Sequence, residues 1–462
     1  MKLKKRTYAI IMSVCMACAV FPKAEASLIQ SSQTDDFSQE TTDFYEQWKS
    51  QYLLKNTYVT DEDQYYVWYS GEKYSDNQTA TPVTVSEAHG YGMLITASMA
   101  DYDSQAKDIF DGMYNYYKAH LSEIGPNLMA WQQSDNGKEF VDSEGANSAT
   151  DGDMDIAYAL LMADSIWGSD GEINYKQAGI DIINDIMEYE VNKTDWVLKL
   201  GDWAYWTKDG EKYNADTRAS DFIMQYLPVY AEFTGDDRWL NVYESTYNII
   251  NDMVDKYGTG LIPDFIIKDK TTGEFVPASA NYLEGENDGN YSYNSCRIPW
   301  RISMDYLING NTDAKAFADA INSFITKSAD NDPENIMAGY KTDGTPTEDY
   351  NDLCFTAPFL ISASCGDNTE WHDALRDEIV NYGEDVYYGD TIKMLCLIAD
   401  DGCWIVPKAT GNNTADNLTA LKKWILCSEN LSDWEPDDLD KDNSLNVYDV
   451  CLMKKAELAI GK

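Results

Sequence analysis

The chain has 462 residues, 79 of them Asp or Glu against 35 Lys or Arg, for a formal charge of −44. So acidic a surface excludes nucleic acid and anionic lipid as favoured partners; it serves solubility first and would not oppose a cationic polymer. With only His89, His120 and His372, and no Cys-x-x-Cys pair beyond Cys15 and Cys18 in the first 26 residues, there is no zinc pattern, and no stretch approaches the roughly 20 consecutive apolar residues of a membrane helix.

The chain opens with Lys2, Lys4, Lys5 and Arg6 ahead of an apolar run from Tyr8 to Phe21, and Ala24-Glu25-Ala26 follows as a small-x-small cleavage pattern. Residues 1–26 therefore read as a signal peptide and the product as secreted and extracellular. Beyond them remain Cys296, Cys354, Cys365, Cys396, Cys403, Cys427 and Cys451, an odd number that cannot all pair. Buried free thiols are the expectation.

Residues 27–406 form the large domain. Apolar residues recur at helical spacing in Ile109, Met113 and Tyr116; in Ile156, Leu160 and Ala163; in Ile182, Ile183, Ile186 and Met187; and in Ile302, Tyr306 and Leu307. Strand-like alternation is short and scarce, as around residues 260–268. The pattern predicts an all-α domain with functional loops between its helices. Aromatic residues, 13% of the chain, supply a core and flat faces on which sugar rings can stack.

General acid/base chemistry in such a chain falls to Asp and Glu. In TVSEAHGYGMLITASMAD, Glu87 enters an apolar helical stretch beside Ala88, Gly90 and Gly92. Shielding there would raise its pKa and keep it protonated, as a general acid requires; the competing reading is that Ser86 and Glu87 cap a helix. In ATDGDMDIAYALLMADSIW, Asp151 and Asp155 are four apart and share a helix face while Asp153 points elsewhere. Acids at a helix start are electrostatically ordinary, so capping competes with a cleft edge.

This second segment resembles the signature of glycoside hydrolase family 8, and SEAHGYGML is similar to that family's general-acid segment. The similarity continues in NLMAWQQ around Trp131, TRASDF from Thr217, YSYNSCRIPWRISMDY from Tyr291, FTAPF from Phe355 and YYGDTIKML from Tyr387. The resemblance implies an (α/α)6 barrel with a long cleft at one end and hydrolysis with inversion at the anomeric carbon. It implies Glu87 as proton donor, Asp151 as the carboxylate that holds and distorts the sugar, Trp131 as a stacking platform, and Asn294 and Arg297 among the substrate-binding residues. An inverting site places its acid and base roughly 6.5–9.5 Å apart so that a water fits between.

Many members of that family carry an Asp base where this sequence has Asn294, and an amide cannot take a proton from water. A subgroup with Asn at this position resembles the chain in having an extra loop whose Glu acts as base. Here the loop reads ANYLEGENDGNYSYN, which points to Glu284, with Glu286 in reserve. Read without the resemblance, the loop is a solvated turn.

The seam PKATGNNT marks a linker at 407–415, and residues 416–462 form a small helical module. There Asp438, Asp440, Asp442, Ser444, Asn446 and Asp449 occupy positions 1, 3, 5, 7, 9 and 12 of a calcium loop. The module resembles a cellulosomal dockerin with one intact half, which implies one Ca2+ and a scaffold cohesin as partner. Catalysis needs no cofactor. The expected function is that of a secreted, inverting endo-β-glucanase on mixed-linkage β-1,3-1,4-glucan or cellulose-like chains, with chitosanase and then xylanase as alternatives. A carbohydrate-binding scaffold component whose catalytic site has decayed is the reading from another class.

Overall fold

The computed structural model describes residues 37–75, 80–383 and 386–409. The expected signal peptide, most of the expected linker and the expected calcium module lie outside them.

Twelve helices of nine residues or more carry the described chain: α1 Gln39–Tyr52, α2 Ser86–Ser98, α3 Ala106–Ala119, α4 Thr150–Trp167, α5 Tyr175–Asp185, α6 Tyr226–Thr234, α7 Arg238–Tyr257, α8 Ile298–Asn309, α9 Thr312–Ser328, α10 Leu353–Ser364, α11 Thr369–Asn381 and α12 Tyr387–Asp400. They alternate in character. The even-numbered helices other than the short α6 are buried nearly all round: in α2 only Glu87 escapes full burial, and in α4 everything from Thr150 to Asp164 is buried, while α6 buries Tyr226, Leu227, Val229, Tyr230 and Phe233. The odd-numbered helices bury one stripe, as α3 does with Ile109, Phe110, Met113, Tyr116 and Tyr117. A helix apolar on every face must sit inside and an amphipathic one outside, so the alternation gives six inner and six outer helices, as an (α/α)6 barrel requires.

Inner helix packs on inner helix from α2 to α4 and from α8 through α10 to α12, which returns to α2. Between α4 and α8 the closure is made by side chains. The Arg301 guanidinium donates to both oxygens of Asp155, 2.9 Å to Oδ1 and 2.5 Å to Oδ2, and Tyr226 of α6 donates to the same carboxylate at 3.0 Å. Tyr226 also stacks on Tyr158 with centroids 3.7 Å apart. All four side chains are buried, so the charges are compensated where they cannot reach water.

Glycines set the closest approach. A Cβ on Gly90 of α2 would lie 2.7 Å from Asp155 Cβ, and one on Gly152 of α4 would lie 2.6 Å from the Ser86 carbonyl carbon. Helices α2 and α4 can therefore lie almost backbone to backbone, which brings Glu87 beside Asp151.

The all-α expectation holds for the frame, but the described residues also form ten short strands in four small sheets, of which only Phe265–Lys268 was anticipated, by the alternation around residues 260–268. Strand β1 (Thr81–Val85) pairs with β2 (Gln132–Asp135), and β3 (Thr217–Arg218) with β4 (Phe265–Lys268). None exceeds five residues, too few for alternation to stand out in most of them. Both pairs stiffen the end of the barrel where the inner helices begin. The Ser86 N–H donates to the Trp131 carbonyl at 2.8 Å, and Arg218 lies opposite Phe265.

Candidate active site

A cleft of about 400 Å³ opens where α2, α4, α8 and α12 start, and Glu87, Trp131, Asp151, Glu284, Asn294 and Arg297 all border it. These side chains are drawn from segments up to 210 positions apart. Glu286, the reserve base, is exposed and is not among the residues bordering the cleft. The positive ends of several inner helices converge here, a setting that favours negative charge.

Neither acidic helix start is explained by capping. Val85 precedes α2 and Ala149 precedes α4, and neither side chain caps its helix. Ser86 Oγ is buried without a hydrogen-bond partner among the described residues. The three acids of α4 diverge as their spacing predicts: Asp151 meets Arg297 and Arg218, Asp155 meets Arg301, and Asp153 turns away to accept the Met129 N–H at 2.7 Å. Arg297 and Arg301 repeat the four-residue spacing of Asp151 and Asp155, so the two pairs form a ladder between α4 and the start of α8.

Arg297 is the hub. Its Nη1 donates to Glu87 Oε2, to Asp151 Oδ2 at 3.1 Å and to Tyr91 OH at 3.2 Å, while Nη2 donates to Asn294 Oδ1 at 3.2 Å. The Asn294 amide nitrogen then donates to Glu284 Oε2 at 2.8 Å. Glu87 and Glu284 are thus joined through Arg297 and Asn294. An Asp at 294 would turn a carboxylate toward Glu284; the amide presents an acceptor to the cation and a donor to the anion. Asn294 and Arg297, expected among the substrate-binding residues, border the cleft but spend these polar atoms on the protein's own groups.

The two carboxyls on Arg297 are driven apart. Burial pushes Glu87 above the ordinary range; Arg297 opposes this without cancelling it, and the Asp151 charge adds to the rise. Burial acts on Asp151 too, but Arg218 and then Arg297 outweigh it and hold the group low. Glu87 keeps 19% of its side chain exposed and Asp151 only 5%, so the first is open to the cleft and the second nearly enclosed. A pair split in this way supplies one group that retains a proton and one that stays charged.

Trp131 lies at the cleft rim, its indole N–H donating to the Glu144 carbonyl at 3.2 Å. Tyr387, at the start of α12, donates to Glu87 Oε1 at 3.3 Å. The sequence reading missed Tyr387, Arg218 and Asp264, although Arg218 and Tyr387 stand in segments whose similarity it noted. Asp264 gave no signal. It is buried, and its carboxylate accepts the N–H groups of Ser292, Asn294 and Ser295 at 3.0, 3.2 and 2.8 Å and Ser295 Oγ at 2.6 Å, fixing the turn that carries Asn294 and Arg297. Burial holds it up at about 6 despite these donors.

Two neighbouring carboxyls at an open cleft, one shifted up and one held down, fit the site of a glycoside hydrolase. The chain belongs to glycosyl hydrolases family 8, which residues 16–402 match. It is 46% identical over 363 residues to a beta-glucanase of Niallia circulans, covering 78% of this chain and 83% of that one. It is 38% identical over 370 residues to an endoglucanase of Bacillus sp. strain KSM-330, covering 79% and 76%. Among solved structures, the apo beta-1,3-1,4-glucanase of Paenibacillus sp. X4 superposes with a TM-score of 0.72 at 44% identity, covering 79% of this chain and 92% of that chain.

Proposed function

We propose that the protein is an inverting endo-β-glucanase that cuts β-1,4 bonds in mixed-linkage β-1,3-1,4-glucan or cellulose-like chains. The connected set Glu87–Arg297–Asn294–Glu284 beside Asp151 carries this reading. Glu87, open to the cleft and raised, gives its proton to the leaving glycosidic oxygen. Glu284 takes a proton from the water that attacks the anomeric carbon from the opposite face. Asp151, held ionised by Arg218 and Arg297, grips and distorts the sugar at the cleavage point, and Trp131 stacks on a ring further along. The relatives named beta-glucanase, endoglucanase and beta-1,3-1,4-glucanase support the substrate class.

The test is reducing-end release by the purified protein from mixed-linkage β-glucan, carboxymethyl cellulose, xylan and chitosan side by side, with Glu87→Gln as control. Release chiefly from glucans, lost by orders of magnitude in the variant, is the expected result. Release chiefly from chitosan would overturn the substrate, and binding without release from any polymer would mark a decayed site.

The reading extends to the ends of the chain on sequence alone. Residues 1–26 direct export, and the loop from Asp438 to Asp449 holds one Ca2+ in a dockerin-like module that binds a scaffold cohesin. Calorimetric titration of the full chain with Ca2+, against Asp440→Ala, expects one site that the substitution abolishes; no binding to the unmodified chain would remove the module.

A further inference from the structure

Glu284 stands on an exposed loop, an insecure place for a group that must meet one water at one angle. The loop has an internal anchor. The Asp288 carboxylate is buried at 3% exposure and accepts three successive backbone N–H groups: Leu283 at 2.7 Å, Glu284 at 3.1 Å and Gly285 at 2.8 Å. Asn281, at φ 59°, donates its own N–H to the Gly285 carbonyl at 2.7 Å, so the chain folds back on the anion from both sides. The anchor is tied to the barrel in turn. The Asp288 carbonyl accepts the Phe265 N–H of β4 at 2.9 Å, and a Cβ at Gly289 would lie 2.1 Å from the Ala278 carbonyl oxygen, so the two ends of the loop meet too closely for any side chain there.

We propose that Asp288 is a positioning residue for the reaction: its carboxylate gathers the 283–285 backbone so that Glu284 meets the Asn294 amide and faces the cleft. The inference rests on Glu284 being the base. Asp288 itself cannot serve as base, because both its oxygens are consumed by the loop's N–H groups and it does not border the cleft. Charge-assisted bonds to several adjacent N–H groups are strong and directional, and a displacement of about 1 Å in a reacting group costs on the order of 100-fold in rate.

The experiment is steady-state kinetics of Asp288→Ala, Asp288→Asn and Glu284→Gln on mixed-linkage β-glucan. Asp288→Ala is expected to lower kcat about 10- to 100-fold with KM within about 2-fold, and Asp288→Asn, which keeps one acceptor oxygen, to lose less. A role in folding alone would lower the amount of folded enzyme and leave kcat per folded molecule unchanged, so turnover is expressed per folded molecule counted by circular dichroism. A kcat per folded molecule near normal in Asp288→Ala, while Glu284→Gln is inactive, overturns the positioning role and spares the base. Turnover retained by Glu284→Gln overturns the base itself, and this inference with it.

Discussion

Asn294 does for the site what an Asp in its place could not. Its oxygen faces the Arg297 guanidinium and its nitrogen faces Glu284. Asn294→Asp would withdraw the donor from Glu284 and set a second carboxylate against it, and kcat on β-glucan is expected to fall at least about 10-fold; turnover near normal would show that the amide is not in contact with the working base. On the proposed roles the alkaline limb of kcat/KM belongs to Glu87, whose proton is lost as pH rises through its elevated pKa. Of this network, Glu87, Asp151 and Glu284 were legible because each sits in a segment of unusual local composition or in a recognisable motif. Arg218 and Asp264 were not. Their contribution depends on which loops meet in space, and a single Asp before an apolar strand looks like any of the other 78 acids.

Among the secondary structures, the outer helices were easier to read than the inner ones. Ile109, Met113 and Tyr116 stand out at helical spacing because the other faces of α3 are polar, and all three are buried. In α8, Ile302 and Leu307 are buried but Tyr306 is only half so, since a helix buried nearly all round has no single stripe to find. Most of the small strands escaped because two to five residues cannot establish a period of two. The tight contact of α2 with α4 rests on Gly90 in one segment and Gly152 in the other, but glycines in two helices do not say that they face each other. Gly90→Ala tests that contact. Its methyl meets Asp155 Cβ at 2.7 Å, and overpacking of this kind costs about 1–3 kcal/mol. A melting temperature lowered by several degrees is expected, and an unchanged one would mean that the helices separate freely.

Across the domain, buried acids govern how stability responds to pH. Burial lifts Glu190 to about 8, Asp221 to about 7 and Asp264 to about 6, and Asp153 is raised by burial and by the Glu190 charge beside it. An acid whose folded pKa is raised binds protons more readily in the folded state. It adds most stability below its unfolded pKa and loses that contribution as pH climbs through the folded value. His372, raised by its hydrogen bond to Asp400, acts in the same direction. Asp151 and Asp400, both lowered, act oppositely below about pH 4, and His89, which burial lowers to about 3, does so below about pH 6.5, one group against the four raised acids. Calorimetric scans should therefore show a higher melting temperature near pH 5 than near pH 8, with the large negative charge reinforcing the trend. A flat or inverted profile would place those acids in water.

Every role assigned to Glu87 and Glu284 requires a single displacement by water, so the stereochemistry of the product tests them together. Proton NMR of the first sugar released from β-glucan, recorded before mutarotation, is the measurement: the α-anomer at the new reducing end is the predicted result, and the β-anomer would contradict the pairing of a general acid with a separate base.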